Sequence, residues 1–138
     1  MTGKMGELFS ADLLLTPVSR WPTLLADESV RAVMRRPMAE RVKQRSGVDR
    51  PVASIVMVTH DGLVFSRLCL ETLLAIEPSM DFEIIVVDNA STDGTAQYLV
   101  DLSLRDGRVR VELNSRNAGF AAATNQAATL ARGDVIVF

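Results

Sequence analysis

The side chains best suited to chemistry follow short apolar segments, and Asp88 is the clearest case. It directly follows the β-branched run Phe82–Val87 and precedes Asn89 and several turn-forming residues. We expect this run to be a strand buried on both faces of a parallel sheet. Asp88 would then lie at the carboxyl edge, where open α/β sheets bind ligands. A carboxylate there can accept hydrogen bonds from a ribose hydroxyl or a base N–H.

Further polar side chains follow the neighbouring predicted strands. They are Thr59, His60 and Asp61 after the first strand, Asn89 after the second, and Asn114, Arg116 and Asn117 after the third. Arg116 can bond phosphate, and the start of the helix after Asn117 offers N–H groups to an anion. Together these groups suit a nucleotide that carries a diphosphate.

Several of these residues also have a purely structural interpretation. Ser91 and Asn117 are typical N-caps, and Asp93 suits the first turn of a helix. Gly119 would permit close packing. His60 is the only histidine, which favours a pocket wall over a metal ligand.

Four predicted strands alternate with three predicted helices. The strands are expected at 53–59, 82–87, 108–113 and 134–138, with the third at an edge and the fourth buried; the helices are expected at about 64–76, from about 96, and at about 118–131. The expected inward-facing residues are Phe65, Leu68, Cys69, Leu73 and Ile76, then Ala96, Leu99, Val100 and Leu104, then Phe120, Ala123, Ala127 and Leu130. This order predicts an α/β fold with three α/β/α layers, a mostly parallel sheet and right-handed crossovers.

Composition suggests one domain with a different N-terminal segment. Of the 138 residues, 48% are hydrophobic and 23% charged, and the net charge of −2 gives no reason to expect nucleic acid. Residues 1–50 hold nine basic and six acidic residues, whereas 51–138 hold six and eleven. We therefore predict an extension at 1–50 and the main domain at 51–138. The basic segment 31–45 can touch anionic lipid or a partner, although a solvated basic face is the more common explanation of such a segment.

The same totals favour a cytoplasmic protein, with a location at the inner face of the membrane as an extension of that prediction. A single cysteine, Cys69, excludes an intramolecular disulfide and suits a reducing compartment. No apolar run approaches the ~20 residues that span a bilayer, and the N-terminus lacks a signal-peptide pattern.

Missing motifs exclude three common classes of protein: dehydrogenases, P-loop proteins and hydrolases with a nucleophile elbow. The turn after the first strand holds one glycine rather than the three of a dinucleotide fingerprint. The Gly-Lys-Ser/Thr of a P-loop and the Gly-x-Ser-x-Gly of a nucleophile elbow are also absent.

Three segments resemble glycosyltransferase family 2, whose members have the GT-A fold. They are Ser54–Thr59, Val86–Thr95 and the pattern Asn117-x-Gly119-Phe120-Ala121-x-x-x-Asn125. The resemblance covers 51–138 and excludes 1–50, and it is strongest to rhamnosyltransferase-like members that build bacterial surface polysaccharide. It implies the Rossmann-like, nucleotide-sugar-binding half of a GT-A domain.

The resemblance also implies an activity: inverting transfer of a sugar from a nucleotide-diphosphate sugar to a hydroxyl of a saccharide or lipid-linked acceptor. The implied donor-binding residues are Thr59, His60, Asp61, Asp88, Asn89, Arg116, Asn117, Gly119 and Asn125. His60 and Asp61 stand where the family usually has an aromatic residue and Asn.

The resemblance further implies Mg²⁺ or Mn²⁺ on the diphosphate, with its ligands and the general base after residue 138. We therefore predict no catalytic or metal-binding residue in this chain, and no sugar transfer by the chain alone. Two alternatives stay open: a non-catalytic nucleotide-binding or interaction module, and a nucleotidyltransferase. The second normally has a Gly-rich, basic loop after the first strand, and Thr59–Gly62 is neither.

Overall fold

A computed structural model of the chain describes residues 28, 31, 35–38, 42, 46–75 and 80–138. Its strands and helices alternate as predicted. The elements are β1 (Ala53–Thr59), α1 (Leu63–Ala75), β2 (Phe82–Asp88), α2 (Thr95–Arg105), β3 (Val109–Leu113), α3 (Phe120–Leu130) and β4 (Val135–Val137). The expected inward position of Ile76 falls outside the described residues.

The four described strands form one parallel sheet in the order β3-β2-β1-β4. β1 pairs with β2 from Ala53↔Phe82 to Thr59↔Asp88, so these two strands end side by side. β3 pairs along the other edge of β2, and β4 pairs with β1. The predicted parallel sheet and the edge position of β3 are confirmed. The sequence order reverses at β1, and ligands of open α/β sheets bind at the carboxyl ends beside such a reversal.

Two apolar clusters lie on opposite faces of the sheet, which confirms the three-layer α/β/α architecture. One cluster joins α1 and α2 to the sheet through Leu70, Leu74, Leu99, Leu102 and Ile84, among others. The other joins α3 through Ala123 and Ala127 to Val56, Ile85 and Val87. The small side chains of Ala123 and Ala127 let α3 lie close to the sheet. The change of face between α2 and α3 accompanies the reversal of strand order, as same-handed crossovers require.

The predicted inner faces of the helices were wrong in part. Cys69 is exposed and Phe65 is 43% exposed, because α1 buries Ser66, Leu70, Glu71 and Leu74 instead. Leu104 and Phe120 are also largely exposed. In α1 and α2 the buried stripe includes polar residues (Ser66 and Glu71 in α1, Thr95 in α2), which a purely apolar pattern does not predict.

The prediction that β4 is buried was also wrong. Val135, Ile136 and Val137 are each about half exposed. β4 is the outer strand of the described sheet, and its pairing with β1 extends over three residues.

The expectation that β2 has two apolar faces overlooked Glu83, whose side chain is completely buried. Its carboxylate accepts hydrogen bonds from Ser54 Oγ (2.7 Å), the Arg132 backbone N–H (2.8 Å) and both Arg132 Nε and Nη2. Arg110 Nη1 adds a contact at 3.2 Å. Burial alone would raise the pKa of Glu83, but the hydrogen bonds from Ser54, Arg132 and Arg110 outweigh it and lower the pKa to about 2. A buried carboxylate therefore ties the α3–β4 connection to β1 and β2.

Residues before the predicted domain boundary also pack on the main core. The chain divides into two compact units, 1–37 and 38–138. Val42 is 3% exposed within the α1/α2 cluster, where Met38 joins it, and the Val42 carbonyl accepts a hydrogen bond from Arg105 Nε. The second unit thus begins thirteen residues earlier than the position expected from composition. In the first unit, Arg35 pairs with Glu28 at 2.7 Å. No helix in the described part of the chain is long and apolar enough to cross a membrane.

Candidate functional site

Two loops at the carboxyl edge of the sheet are joined by hydrogen bonds in both directions. The Asp61 N–H in the β1–α1 loop donates to Ser91 Oγ in the β2–α2 loop at 2.7 Å. The Thr92 N–H returns a bond to Asp61 Oδ1, also at 2.7 Å. Asp61 and Ala90 both have positive φ (57° and 61°), which non-glycine residues rarely adopt. Strained backbone of this kind is concentrated at functional sites.

Asp88 ends the central strand β2 with a carboxylate that its own loop holds in one orientation. Ser91 donates its N–H to Asp88 Oδ2 at 2.9 Å and its hydroxyl to Oδ1. Asp88 is 1% exposed. Ser91 thus supplies partners for the buried carboxylate from within its own loop. Each carboxylate oxygen nevertheless has a second acceptor position.

Asp93 bonds the starts of two helices at once. Its Oδ1 accepts from the N–H and hydroxyl of Thr95 at the start of α2, and its Oδ2 accepts from the Leu63 N–H at the start of α1. These bonds, first that from the Thr95 hydroxyl, lower the pKa of Asp93 to about 2. The predicted N-cap is not Ser91, since α2 is preceded by Gly94 without a side-chain cap. Asp93, the residue before Gly94, instead supplies the side-chain hydrogen bond to the first N–H of α2.

Hydrogen bonds continue between the chain segments beyond the ends of the strands. The Asn89 N–H donates to the Thr59 carbonyl, and the Asn114 N–H donates to the Asp88 carbonyl, both at 2.8 Å. The Thr59 hydroxyl lies 3.0 Å from Ser66 Oγ on α1, and both residues are buried. These hydrogen bonds hold the carboxyl ends of β1, β2 and β3 side by side.

Amide side chains connect this edge to α3. Asn114 and Gln126 exchange two hydrogen bonds of 3.0 Å, and Asn114 also donates to Asn89 Oδ1 at 2.9 Å. Asn89 in turn donates to the Gly119 carbonyl at 3.3 Å. This network fixes both ends of the loop between β3 and α3.

That loop carries the exposed part of the predicted site. Arg116 and Asn117 are exposed. Asn117 Oδ1 accepts from the Gly119 N–H at 2.9 Å, so it forms a turn before the helix and is not the predicted N-cap. Gly119 holds that position with φ 84° and no side-chain cap bond. A Cβ on Gly119 would meet no atom within 4 Å, so backbone conformation, and not the expected close packing, explains this glycine.

The predicted donor-binding residues thus fall into two groups. Six of them are linked by short hydrogen-bonded paths at the carboxyl edge: Thr59, Asp61, Asp88, Asn89, Asn117 and Gly119. The other three, His60, Arg116 and Asn125, are exposed, and Asn125 lies on α3 beyond its first turn.

Sequence reasoning missed Ser66 and Gln126 and gave Ser91 only a capping role. The pattern of α1 offered one signal, because Ser66 falls on the stripe that contains Leu70 and Leu74. The pairing of Gln126 with Asn114 has no local signal, since the two side chains are brought together by the packing of α3.

Metal-ligating side chains do not cluster among the described residues. No group of three or more His, Cys, Asp or Glu side chains there is placed to hold a metal ion. The Asp88, Asp61 and Asp93 carboxylates are instead bonded to backbone N–H groups and hydroxyls of their loops. None of the described residues is therefore assigned to a divalent-ion site.

Known proteins are similar to this chain in sequence or in fold. The chain is 32% identical to the O-antigen biosynthesis protein RfbC of Myxococcus xanthus over 122 residues, which is 85% of this chain and 10% of RfbC. It is also 32% identical to EpsJ of Bacillus subtilis (strain 168), an uncharacterized glycosyltransferase, over 64% of this chain and 25% of EpsJ. The chain therefore spans a quarter or less of these two relatives.

A solved structure shows the same fold. It is the mannosyltransferase PcManGT from Pyrobaculum calidifontis in complex with GDP-Man and Mn²⁺, with a TM-score of 0.56 and 20% identity. The similarity covers 96% of this chain and 35% of that one. This confirms the GT-A architecture expected from the resemblance.

A sequence model of one family, described as Glycosyl transferase family 2, matches residues 54–138. The matched region runs from the second residue of β1 through all seven elements and includes both cross-bonded loops. The chain belongs to glycosyl transferase family 2.

Proposed function

We propose that this chain is the donor-binding part of an enzyme that transfers a sugar from a nucleotide-diphosphate sugar to an acceptor hydroxyl, with inversion. Family membership supports the reaction class. The observation that carries the proposal is the geometry of Asp88, a carboxylate fixed at the carboxyl edge beside the reversal of strand order. Ligands of open α/β sheets bind there.

Asp88 would receive the base or ribose of the donor. Ser91 occupies one acceptor position on each carboxylate oxygen, so one position on each oxygen is left for N–H or O–H groups of a nucleotide. Because the carboxylate is already oriented, little side-chain entropy is lost when a ligand binds.

The exposed loop before α3 would contact the diphosphate. Arg116 carries a guanidinium whose donors match phosphate oxygens. α3 begins at Gly119 without a side-chain cap, so the free N–H groups of its first turn are open to an anion. His60 and Asn117 border the same edge and would line the pocket.

A divalent ion, Mg²⁺ or Mn²⁺, would neutralise the leaving diphosphate when it is bound. The solved mannosyltransferase is in complex with GDP-Man and Mn²⁺, which supports the ion for the family. We assign no step to it here, because the described residues offer no ligand cluster.

The acceptor is a saccharide or lipid-linked acceptor in this proposal, and the product is a bacterial surface polysaccharide. The O-antigen biosynthesis described for RfbC supports this direction. Cytoplasmic location and membrane contact through 31–45 stay predictions, since most of that segment lies outside the described residues.

Calorimetric titration with UDP, GDP and dTDP in the presence of Mn²⁺ tests the role of Asp88. Asp88→Asn keeps the side-chain volume but removes the charge, and Asp101→Asn is the matched control on the exposed side of α2. Hydrogen bonds to a charged group contribute about 1.5–3 kcal/mol, so we expect a loss of about 10-fold or more in affinity for the preferred nucleotide. Unchanged affinity in a variant with a native circular dichroism spectrum would contradict the assigned role.

A further inference from the structure

Asp61 bonds to the neighbouring loop through both its backbone and its side chain. We propose that Asp61 is a positioning residue, which clamps the β1–α1 loop onto the β2–α2 loop and so fixes the Asp88 carboxylate through Ser91. The link to nucleotide binding rests on the function proposed above. The clamp itself can be tested without a ligand.

The path from Asp61 to Asp88 runs through one hydroxyl group. Ser91 Oγ accepts the Asp61 N–H at 2.7 Å and donates its own proton to Asp88 Oδ1. A hydroxyl has one proton, and acceptance from Asp61 leaves that proton directed at Asp88. If the Asp61 backbone moved, the Ser91 hydroxyl would be free to rotate, and Asp88 would lose one of the two hydrogen bonds that orient it.

The carboxylate of Asp61 holds that backbone in place from the other side. Its Oδ1 accepts the Thr92 N–H at 2.7 Å and lies 3.4 Å from the Thr92 hydroxyl. Thr92 directly follows Ser91, so the two loops are bonded at adjacent residues in opposite directions. Such a reciprocal pair resists both sliding and separation of the loops.

The backbone conformation explains why an aspartate suits this position. Asp61 has φ 57°, in the left-handed region that Asp and Asn tolerate better than other non-glycine residues. An Asn there can keep both the conformation and an acceptor oxygen. A Gly keeps the conformation and loses the acceptor, so the pair Asp61→Gly and Asp61→Asn separates the bond from the backbone.

The first measurement is amide hydrogen exchange by NMR on the unliganded chain. In Asp61→Gly we expect two backbone amides, those of Thr92 and Ser91, to exchange about 10-fold faster. The Thr92 N–H loses its charge-assisted bond to Asp61. The Ser91 N–H keeps its acceptor, Asp88, but the loop that carries it is no longer clamped. Asp61→Asn should restore exchange to within about 3-fold of the natural chain. Asp81→Gly, which removes an exposed carboxylate before β2, is the control and should change neither amide.

The second measurement is affinity for UDP, GDP and dTDP with Mn²⁺. A positioning role predicts that affinity falls in Asp61→Gly, recovers in Asp61→Asn, and follows amide exchange across the series. Ser91→Ala should weaken binding similarly, and the double variant Asp61→Gly/Ser91→Ala should fall no further, because both act on one path. Additive losses, or weak binding by Asp61→Gly with natural exchange rates, would mean that Asp61 contacts the ligand directly and would overturn the proposal.

The two proposals fail in different ways. If the natural chain binds none of the three nucleotides, the proposed function is refuted, and the clamp is judged by amide exchange alone. If Ser91 and Thr92 exchange at natural rates in Asp61→Gly, the clamp is refuted whatever the affinity.

Discussion

Acid should weaken this fold in part through Glu83, a buried carboxylate near the opposite end of β2 from Asp88. The pKa of Glu83 falls from its ordinary value of 4.5 to about 2 in the folded protein. A group with a lowered pKa stabilises the folded state above its unfolded pKa and loses that contribution as the pH falls towards its folded pKa. The contribution of Glu83 is thus complete above about pH 5 and disappears between about pH 4.5 and 2.

The magnitude follows from the same pKa difference. Each pKa unit corresponds to about 1.4 kcal/mol, so the folded state gains up to about 3 kcal/mol from ionised Glu83 at neutral pH. Arg132 and Arg110 are partly exposed and regain water when the carboxylate is lost. We therefore expect Glu83→Gln to lower the free energy of unfolding by about 2–3 kcal/mol at pH 7, rather than the ~3–5 kcal/mol of a wholly buried ion pair.

The assay is urea unfolding followed by circular dichroism at several pH values between 7 and 2. The difference between the natural chain and Glu83→Gln should be largest at pH 7 and shrink towards zero near pH 2. Glu112→Gln, on the exposed part of β3, is the matched control and should change stability by less than about 0.5 kcal/mol. A difference that stays constant with pH would refute the reasoning, because it would show that packing and not ionisation is lost.

Two further predictions concern the start of the second unit and the glycine before α3. Val42→Ala should lower the free energy of unfolding by about 2 kcal/mol, and the half-exposed control Val52→Ala should lower it by less than about 0.5 kcal/mol. In the same urea assay, deletion of 1–37 should preserve the stability of the second unit, whereas deletion of 1–45 should lower it. Gly119→Ala should destabilise by about 1–3 kcal/mol through its positive φ alone, since the added methyl group meets no neighbour. Equal stability of the two deletions, or a neutral Gly119→Ala, would contradict these two assignments respectively.

The order of elements and the edge that carries the site followed from the sequence because both depend on local patterns. A β-branched run such as Ile84–Val87 predicts a buried strand wherever it occurs, and the abrupt change at Asp88 marks its end. Parallel pairing then brings Thr59 and Asp88 side by side, as the register shows. The family match extended this by assigning the same segments to one fold.

The errors share a different cause, which is that long-range packing decides which polar side chains are buried. Glu83 and Ser66 are polar residues within otherwise apolar buried stripes, and each is buried with a hydrogen-bond partner from another element. Conversely, Phe120 and Cys69 were expected on the inner faces of their helices and are exposed in the structure. Apolar periodicity predicts that a helix has an inner face, but the partners fix its rotation.

The partner of Asp88 illustrates the limit for function. A carboxylate after an apolar strand predicts a polar partner, and the sequence places Ser91 three residues away, yet it does not tell whether that partner is the ligand or the loop. The structure shows that the loop provides the first pair of bonds. A ligand at Asp88 would therefore bind to a group whose burial is already compensated, and its affinity would depend on how rigidly Ser91 is held. Since Ser91 is held by Asp61 from a different loop, the residue that tunes the site is one that a search for direct ligand contacts would misassign.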